Sequence, residues 1–354
     1  MESYVEWMCM MVCDNIFEGR SNVPARDMLE EVMQRSGRLI SKRHLMIIGG
    51  MTPSCDRYKN DTLEVMHSFT HVRRVLKLKM PIQSRWSAAV VMRDGSVIVA
   101  SWGDIHSRKM FVIPAWPDRD DAAVTETVLC TVRINYAVCV LHDGRVMISG
   151  GHQGLSSTVM DTIEFMDPVT KQWTLSPHRL PARMYGHCTT VIDEQRVLIT
   201  GGIVDLISCS KASYIYLPGT GQLVRTEDMH VGREFHACVL LPDGNVLVTG
   251  GYSGLPGYMD STDVCEVFSL NDGWYKLPCR NTISRVWHNC VISGKRIFVI
   301  GGTTARDGRF RFHMEKLDVG DDRKTLLTRL LRGKMEWETV GVQIDNDGKA
   351  IVAL

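Results

Sequence analysis

The chain has no run of apolar residues approaching the roughly eighteen that a membrane-spanning helix requires, which excludes a helical membrane anchor within its 354 residues. It also lacks an excess of charge of either sign. Lys and Arg total 41 against 40 Asp and Glu, a net charge of +1, so no global field draws the protein to nucleic acid or to an anionic membrane surface. Any polar binding face has to be local. The 11 cysteines are an odd number and form no CxxC pair, which argues against both a disulfide framework and a thiolate metal site. Cys139, Cys188, Cys238 and Cys290 fall at similar places inside apolar stretches and read as small buried residues of a reduced, cytoplasmic protein. The apolar patch from Trp7 to Val12 follows Glu2 and Glu6, without a basic n-region or a small-residue cleavage site, and does not read as a signal peptide. Asn60-Asp61-Thr62 fits a glycosylation sequon but reads as chance in such a chain. There is no nucleophile elbow, P-loop or HExxH motif, so no catalytic residue, metal or cofactor is assigned.

What the sequence does contain is a repeat. Leu240-Leu241-Pro242-Asp243-Gly244-Asn245-Val246-Leu247-Val248-Thr249-Gly250-Gly251 reads as the end of one apolar strand, a tight Asp-Gly turn, a second apolar strand and a Gly-Gly stop. The unit returns as Leu141 to Gly151 and, with Asp193-Glu194 at the turn, up to Gly201-Gly202. Further copies end at Gly49-Gly50 and Gly301-Gly302, and a worn one runs from Asp94 to Gly103. The period is about fifty residues, the spacing of kelch repeats among repeat architectures. On these hairpins the sequence resembles the kelch-repeat proteins, the kelch-like family in particular, and its hairpins are also similar to those of the galactose oxidase-type kelch propeller.

The resemblance implies an all-β fold, a six-bladed kelch β-propeller, over residues 41–354. Each unit divides into four strands, named a to d from the axis outward. Strand a precedes the Asp-Gly turn and strand b ends in Gly-Gly. Strand c alternates around a recurring glutamate (Glu64, Glu164, Glu266, Glu315), and strand d often starts with tryptophan, as at Trp173 and Trp274. Strands a and b, apolar throughout, are expected to be covered on both faces by neighbouring blades. The paired glycines should let a neighbouring backbone or ring approach, and the tryptophans should cover the interfaces between blades. The first unit has no strand a before it, so a C-terminal strand at about 337–344 is expected to complete the first blade and remove free edges. This leaves residues 350–354 unplaced, and a truncated seventh blade is the alternative. The Leu326-Leu327, Leu330-Leu331 spacing predicts a short helix in the insertion 320–334.

Residues 1–40 lack the repeat. Asn22 as N-cap, Pro24 in the first turn and an apolar face through Met28, Leu29, Val32 and Met33 predict a short amphipathic helix at about 24–35. It resembles the tail of the helical region that precedes the propeller in kelch adaptors, although the chain begins too late to hold their BTB domain.

An arginine stands before each internal strand a, at Arg85, Arg133, Arg183, Arg233 and Arg285, followed closely by an aromatic residue: Trp86, Tyr136, Tyr185, Phe235 and Trp287. In kelch adaptors, arginines at the matching position help to bind acidic segments of partner proteins. The implied function is a protein–protein interaction module whose partner-binding residues are Arg85, Arg133, Arg183, Tyr185, Arg233, Phe235, Arg285 and Trp287. The implied cellular role is substrate recognition for a cullin-based ubiquitin ligase. Guanidinium groups suit carboxylates, and aromatics with arginine are favoured at binding hot spots. The competing reading is structural, with one arginine per blade serving the repeat itself. The loops between strands b and c, with His152, Gln153, Tyr252, Ser253, Thr303, Thr304 and Arg306, vary between blades and would supply specificity.

His187, His236 and His288 recur just after the arginines and read as repeat residues rather than zinc or copper ligands. The alternative function, a carbohydrate-active enzyme akin to the copper oxidase or to sialic acid epimerases using the axial pocket, finds only scaffold residues to support it. No feature sets an oligomeric state.

Overall fold

In a computed structural model of the chain, the structure describes residues 44–48, 60–67, 73–84, 88–100, 108–115, 122–153, 158–204, 208–254, 260–293, 295–302, 314–320, 322, 325–340 and 351–353. The expected helix at 24–35, together with Arg85, Trp86, Thr303, Thr304 and Arg306, lies outside these residues.

Among the described residues six four-stranded antiparallel sheets follow one another along the chain. In blade five, strands a to d are Ala237–Leu240, Val246–Thr249, Val264–Ser269 and Gly273–Arg280, paired in that order. Blades two, three, four and six repeat the order, and their innermost strands are Ala88–Val91, Ala137–Val140, Cys188–Val191 and Asn289–Ser293. The innermost strands neighbour one another in sequence order, and Ile351–Ala353 lies between the last and the first of them, which closes the ring. The chain is a β-propeller.

The closure differs from the expectation. Ile351–Ala353 pairs with His44–Ile48 and supplies strand a of blade one. Glu338–Val340 instead pairs with Met314–Asp318 as the outermost strand of blade six. The reason is visible at Trp337, which heads that strand as Trp173 and Trp274 do theirs, and is buried with Leu326, Leu330 and Met335. The insertion forms the helix Leu326–Leu331, whose buried Leu326 and Leu330 face this cluster.

The core lies between blades. Trp173 of blade three packs with Met92, Ile98 and Met110 of blade two. Trp274 of blade five packs with Leu198 and Ile215 of blade four, and its indole N–H donates to Ser213 Oγ at 3.0 Å. Each such ring removes on the order of 150–250 Å² from water, so adjacent blades hold each other rather than themselves. Strand b is buried at every position in blades three, four and five. Strand a is half-buried at two of its four positions in blade three and at three of four in blade five, because one of its faces looks toward the axis rather than into a neighbouring blade. The expectation of continuous burial therefore holds for strand b and not for strand a.

The Asp-Gly turns follow their chemistry. Gly144 and Gly244 adopt φ of 89° and 87°, and the preceding aspartates accept from the backbone N–H two residues on, Asp143 from Arg145 at 3.0 Å and Asp243 from Asn245 at 3.2 Å. No helix among the described residues is long and apolar enough to cross a membrane.

Candidate functional site

Three of the five arginines are inside the protein. Arg133, Arg233 and Arg285 are 2%, 0% and 1% exposed. Each is paired with the glutamate of strand c in its own blade: Arg133 with Glu164 at 2.7 Å, Arg233 with Glu266 at 2.5 Å, and Arg285 with Glu315. The same guanidinium donates to the carbonyl of the first glycine of the Gly-Gly pair, Gly150, Gly250 or Gly301. Each glutamate also accepts backbone N–H groups of the segment before the arginine, from Cys130 and Thr131, from His230 and Val231, or from Thr282. Burial lowers the guanidinium pKa of Arg133 and Arg285, and the paired glutamates oppose that shift. These groups tie strand b, strand c and the entering loop of one blade together. Against the expectation of an exposed arginine ring, the guanidinium groups of Arg133, Arg233 and Arg285 are buried and their charge is met by glutamate within each blade, so they are not presented at the surface to an acidic segment.

Arg183 is different because it is out of register. Met184, an apolar residue, takes the equivalent slot: its carbonyl accepts from Gly151 N–H, as those of Arg233 and Arg285 accept from Gly202 and Gly251. Opposite it, strand c of blade four carries Tyr214 rather than glutamate, paired with Ile199 as Glu266 is paired with Val248. Met184 is 2% exposed and packs with Leu180 and Tyr216, while Arg183 is exposed. Blade four thus closes with an apolar plug where blades three, five and six use an ion pair.

The histidines staple blades together. His187 Nε2 lies 2.8 Å from Ser149 Oγ, His236 Nε2 2.9 Å from Thr200 Oγ1, and His288 Nε2 2.9 Å from Thr249 Oγ1, each partner belonging to the preceding blade. Burial depresses the pKa of His187 and His288 to about 3 and that of His236 well below its ordinary value. The Gly-Gly pair makes room for them: a Cβ on Gly150, Gly201 or Gly250 would stand 2.7, 2.9 or 2.5 Å from the imidazole of the next blade. Among the described residues no three His, Cys, Asp or Glu side chains are gathered so as to hold a metal ion.

The aromatic residues do come together. Asn135, Gly186, Phe235 and Trp287 all have positive φ, at 57°, 64°, 49° and 55°. Their backbones are linked from blade to blade: Gly186 N–H donates to Asn135 O, Phe235 to Gly186 O and Trp287 to Phe235 O, at 2.9, 2.8 and 3.1 Å. This collar is strained at Phe235 and Trp287, since non-glycine residues in the left-handed region cost about 1–3 kcal/mol. It sets half-buried rings side by side. Tyr185 and Phe235 lie 6.2 Å apart, Phe235 and Trp287 5.4 Å, and Trp287 and Tyr252 5.4 Å with an interplanar angle of 88°. His152 meets Tyr185 edge-on at 5.0 Å. The b–c hairpins support this mouth: His152 bridges to Ile134, Tyr252 to Glu234, and Ile203–Val204 pairs with Met184–Tyr185.

One residue of the mouth is absent from the sequence-based set. Glu234 is 2% exposed, and its Oε2 has no hydrogen-bond partner. Burial pushes its carboxyl up to about 7. The corresponding positions are Ile134, Tyr185 and Val286, so an acidic residue where the other blades carry apolar or aromatic ones was the available signal.

Comparisons with known proteins agree with this architecture. The kelch motif family model matches residues 133–178, the span of blade three. A curated relative, "Adagio-like protein 3" of Oryza sativa subsp. japonica, is 22% identical over 274 residues, covering 73% of this chain and 41% of that protein. The chain therefore spans less than half the length of that relative. A solved structure described as "Structure of YjhT" superimposes with a TM-score of 0.51 at 14% identity, over 68% of this chain and 96% of that one.

Proposed function

We propose that this kelch-repeat propeller is a non-catalytic protein-interaction module that holds a protein partner on the aromatic mouth formed by Tyr185, Phe235, Trp287 and Tyr252, with Arg183 at its rim. The carrying observation is the collar: two large aromatic residues kept in a strained backbone conformation, half-exposed, by hydrogen bonds from blade to blade. Strain of this kind clusters at ligand clamps, and rigid aromatics give contact area at low entropic cost. The kelch motif supports the reading, because such repeats commonly serve as interaction scaffolds.

The test is affinity capture of partners from native cells with the parent chain and with Phe235→Ala and Trp287→Ala. Captured partners should be lost in both variants while the melting temperature falls by only a few degrees. Unchanged capture with folded variants would remove the mouth from the interaction. Substrate recognition for a cullin-based ubiquitin ligase is the more specific form of the proposal, and it requires a cullin among the captured proteins.

A further inference from the structure

The mouth has a feature that an acidic partner would not explain. Glu234 sits at the seam of blades four and five, beside the half-buried Phe235 ring, with no hydrogen-bond partner for its Oε2. A Cβ placed on Gly186 would meet that oxygen at 3.3 Å and the Phe235 ring at 3.1 Å, so the carboxylate and the aromatic edge share one small volume. Around them stand the phenols of Tyr185 and Tyr252 and the thiol of Cys209. All three are pushed up, first by burial and then by the negative charge of Glu234, Cys209 to about 12. None of these neighbours supplies positive charge, and the adjacent Arg233 is turned to Glu266. Buried carboxylates are ordinarily paired; this one lies against an aromatic edge and has no cation beside it among the described residues.

From this arrangement, and resting on the interaction reading above, we infer that the seam is a receptor for an alkylammonium group. The group would be a lysine-type side chain of the partner, enclosed by Tyr185, Phe235, Trp287 and Tyr252 and neutralised by Glu234. Trp287 and Tyr252 stand nearly perpendicular in edge-to-face contact beside this seam; aromatic faces attract a cation, and N-methylation should strengthen the contact. A carboxylate in the same place would meet Glu234. Binding should tighten as the pH rises through about 7, because the cation needs Glu234 ionised, whereas Tyr185, Tyr252 and Cys209 stay neutral over that range.

The experiment is a ligand-observed NMR titration of the full chain with the amide of Nα-acetyl-Nε-trimethyl-lysine, its neutral Nε-acetyl-lysine counterpart, and Nα-acetyl-aspartate amide. The trimethyl-lysine probe is expected to bind about ten-fold more tightly than the neutral one, the scale of a desolvated cation–π contact, and the aspartate probe weakest. Glu234→Gln should remove most of that preference, and Glu234→Asp should retain part of it, which guards against a variant that merely misfolds. Equal binding of the charged and neutral probes, preference for aspartate, no binding of any probe, or an unchanged preference in folded Glu234→Gln would each overturn the assignment. If the assignment falls but Phe235→Ala and Trp287→Ala still abolish partner capture, the interaction reading stands; if capture is also unaffected, both fall.

Discussion

Blades four and five solve one problem in two ways. Both must fasten the loop that enters strand a to the second and third strands. Blade five does it with a buried ion pair between Arg233 and Glu266, which also receives the backbone N–H groups of His230 and Val231. Blade four does it with Met184 packed among Leu180 and Tyr216, and with Met184–Tyr185 paired to Ile203–Val204 just beyond its own second strand. That both blades close shows that the fold needs the slot filled and the loop held, not charge as such. Buried ion pairs are often replaceable by apolar groups, whereas removing one partner is costly.

The comparison can be broken directly. Glu266→Ala leaves Arg233 buried and unpaired and should cost about 3–5 kcal/mol, measured by denaturant unfolding. The double change Arg233→Met with Glu266→Tyr, which copies blade four, should recover most of that loss; failure to recover would mean that the ion pair does more than fill its slot.

Glu234, at the seam of these two blades, gives the next largest effect. Its folded-state pKa of about 7 lies above the ordinary 4.5, so the folded protein keeps a proton that the unfolded chain releases. Its contribution is full below about pH 4.5 and is lost as the pH rises through about 7. The total is about 3 kcal/mol at the linkage rate of about 1.4 kcal/mol per unit. Glu234→Gln should flatten that part of the stability profile and raise the melting temperature relative to the parent at pH 8.

The histidine staples act in the opposite direction. With folded values near 3 for His187 and His288 against an ordinary 6.5, the unfolded chain gains protons first as the pH falls. Each should cost about 1.4 kcal/mol for every unit below about 6.5, until about pH 3. His288→Gln should remove one histidine's share of that acid sensitivity in urea melts run between pH 7 and 5. Smallest of all, Arg183→Ala should change stability by less than about 0.5 kcal/mol, because its side chain is exposed and the slot belongs to Met184.

The hairpins, the glycine pairs and the outer tryptophans were legible in the sequence because each is a local pattern with a local cause. The closing strand is not fixed by the strand pattern at 337–344, which suits an inner or an outer strand equally; Trp337 at its head is the mark of an outer strand, as Trp173 and Trp274 are. The arginines were read as a set because they recur at near-equal intervals, yet a one-residue offset at Arg183 moves a side chain from the slot to the surface, and the interval alone does not register it. Their glutamate partners were visible as a strand c pattern, but the pairing spans about thirty residues and is made by the sheet. The aromatic mouth was partly legible, through Tyr185, Phe235 and Trp287. Glu234 was not, since its significance lies in what fails to surround it.

The backbone links from Asn135 through Gly186 and Phe235 to Trp287 have a consequence for motion. Amides at the rim of a protein face ordinarily exchange with solvent through small local openings, but the N–H groups of Gly186, Phe235 and Trp287 are each committed to the preceding blade's carbonyl. Releasing one requires blades to part, so their hydrogen exchange should approach the protection of the inner strands. The aromatic mouth, the proposed partner surface, would then fluctuate only as much as the ring itself does.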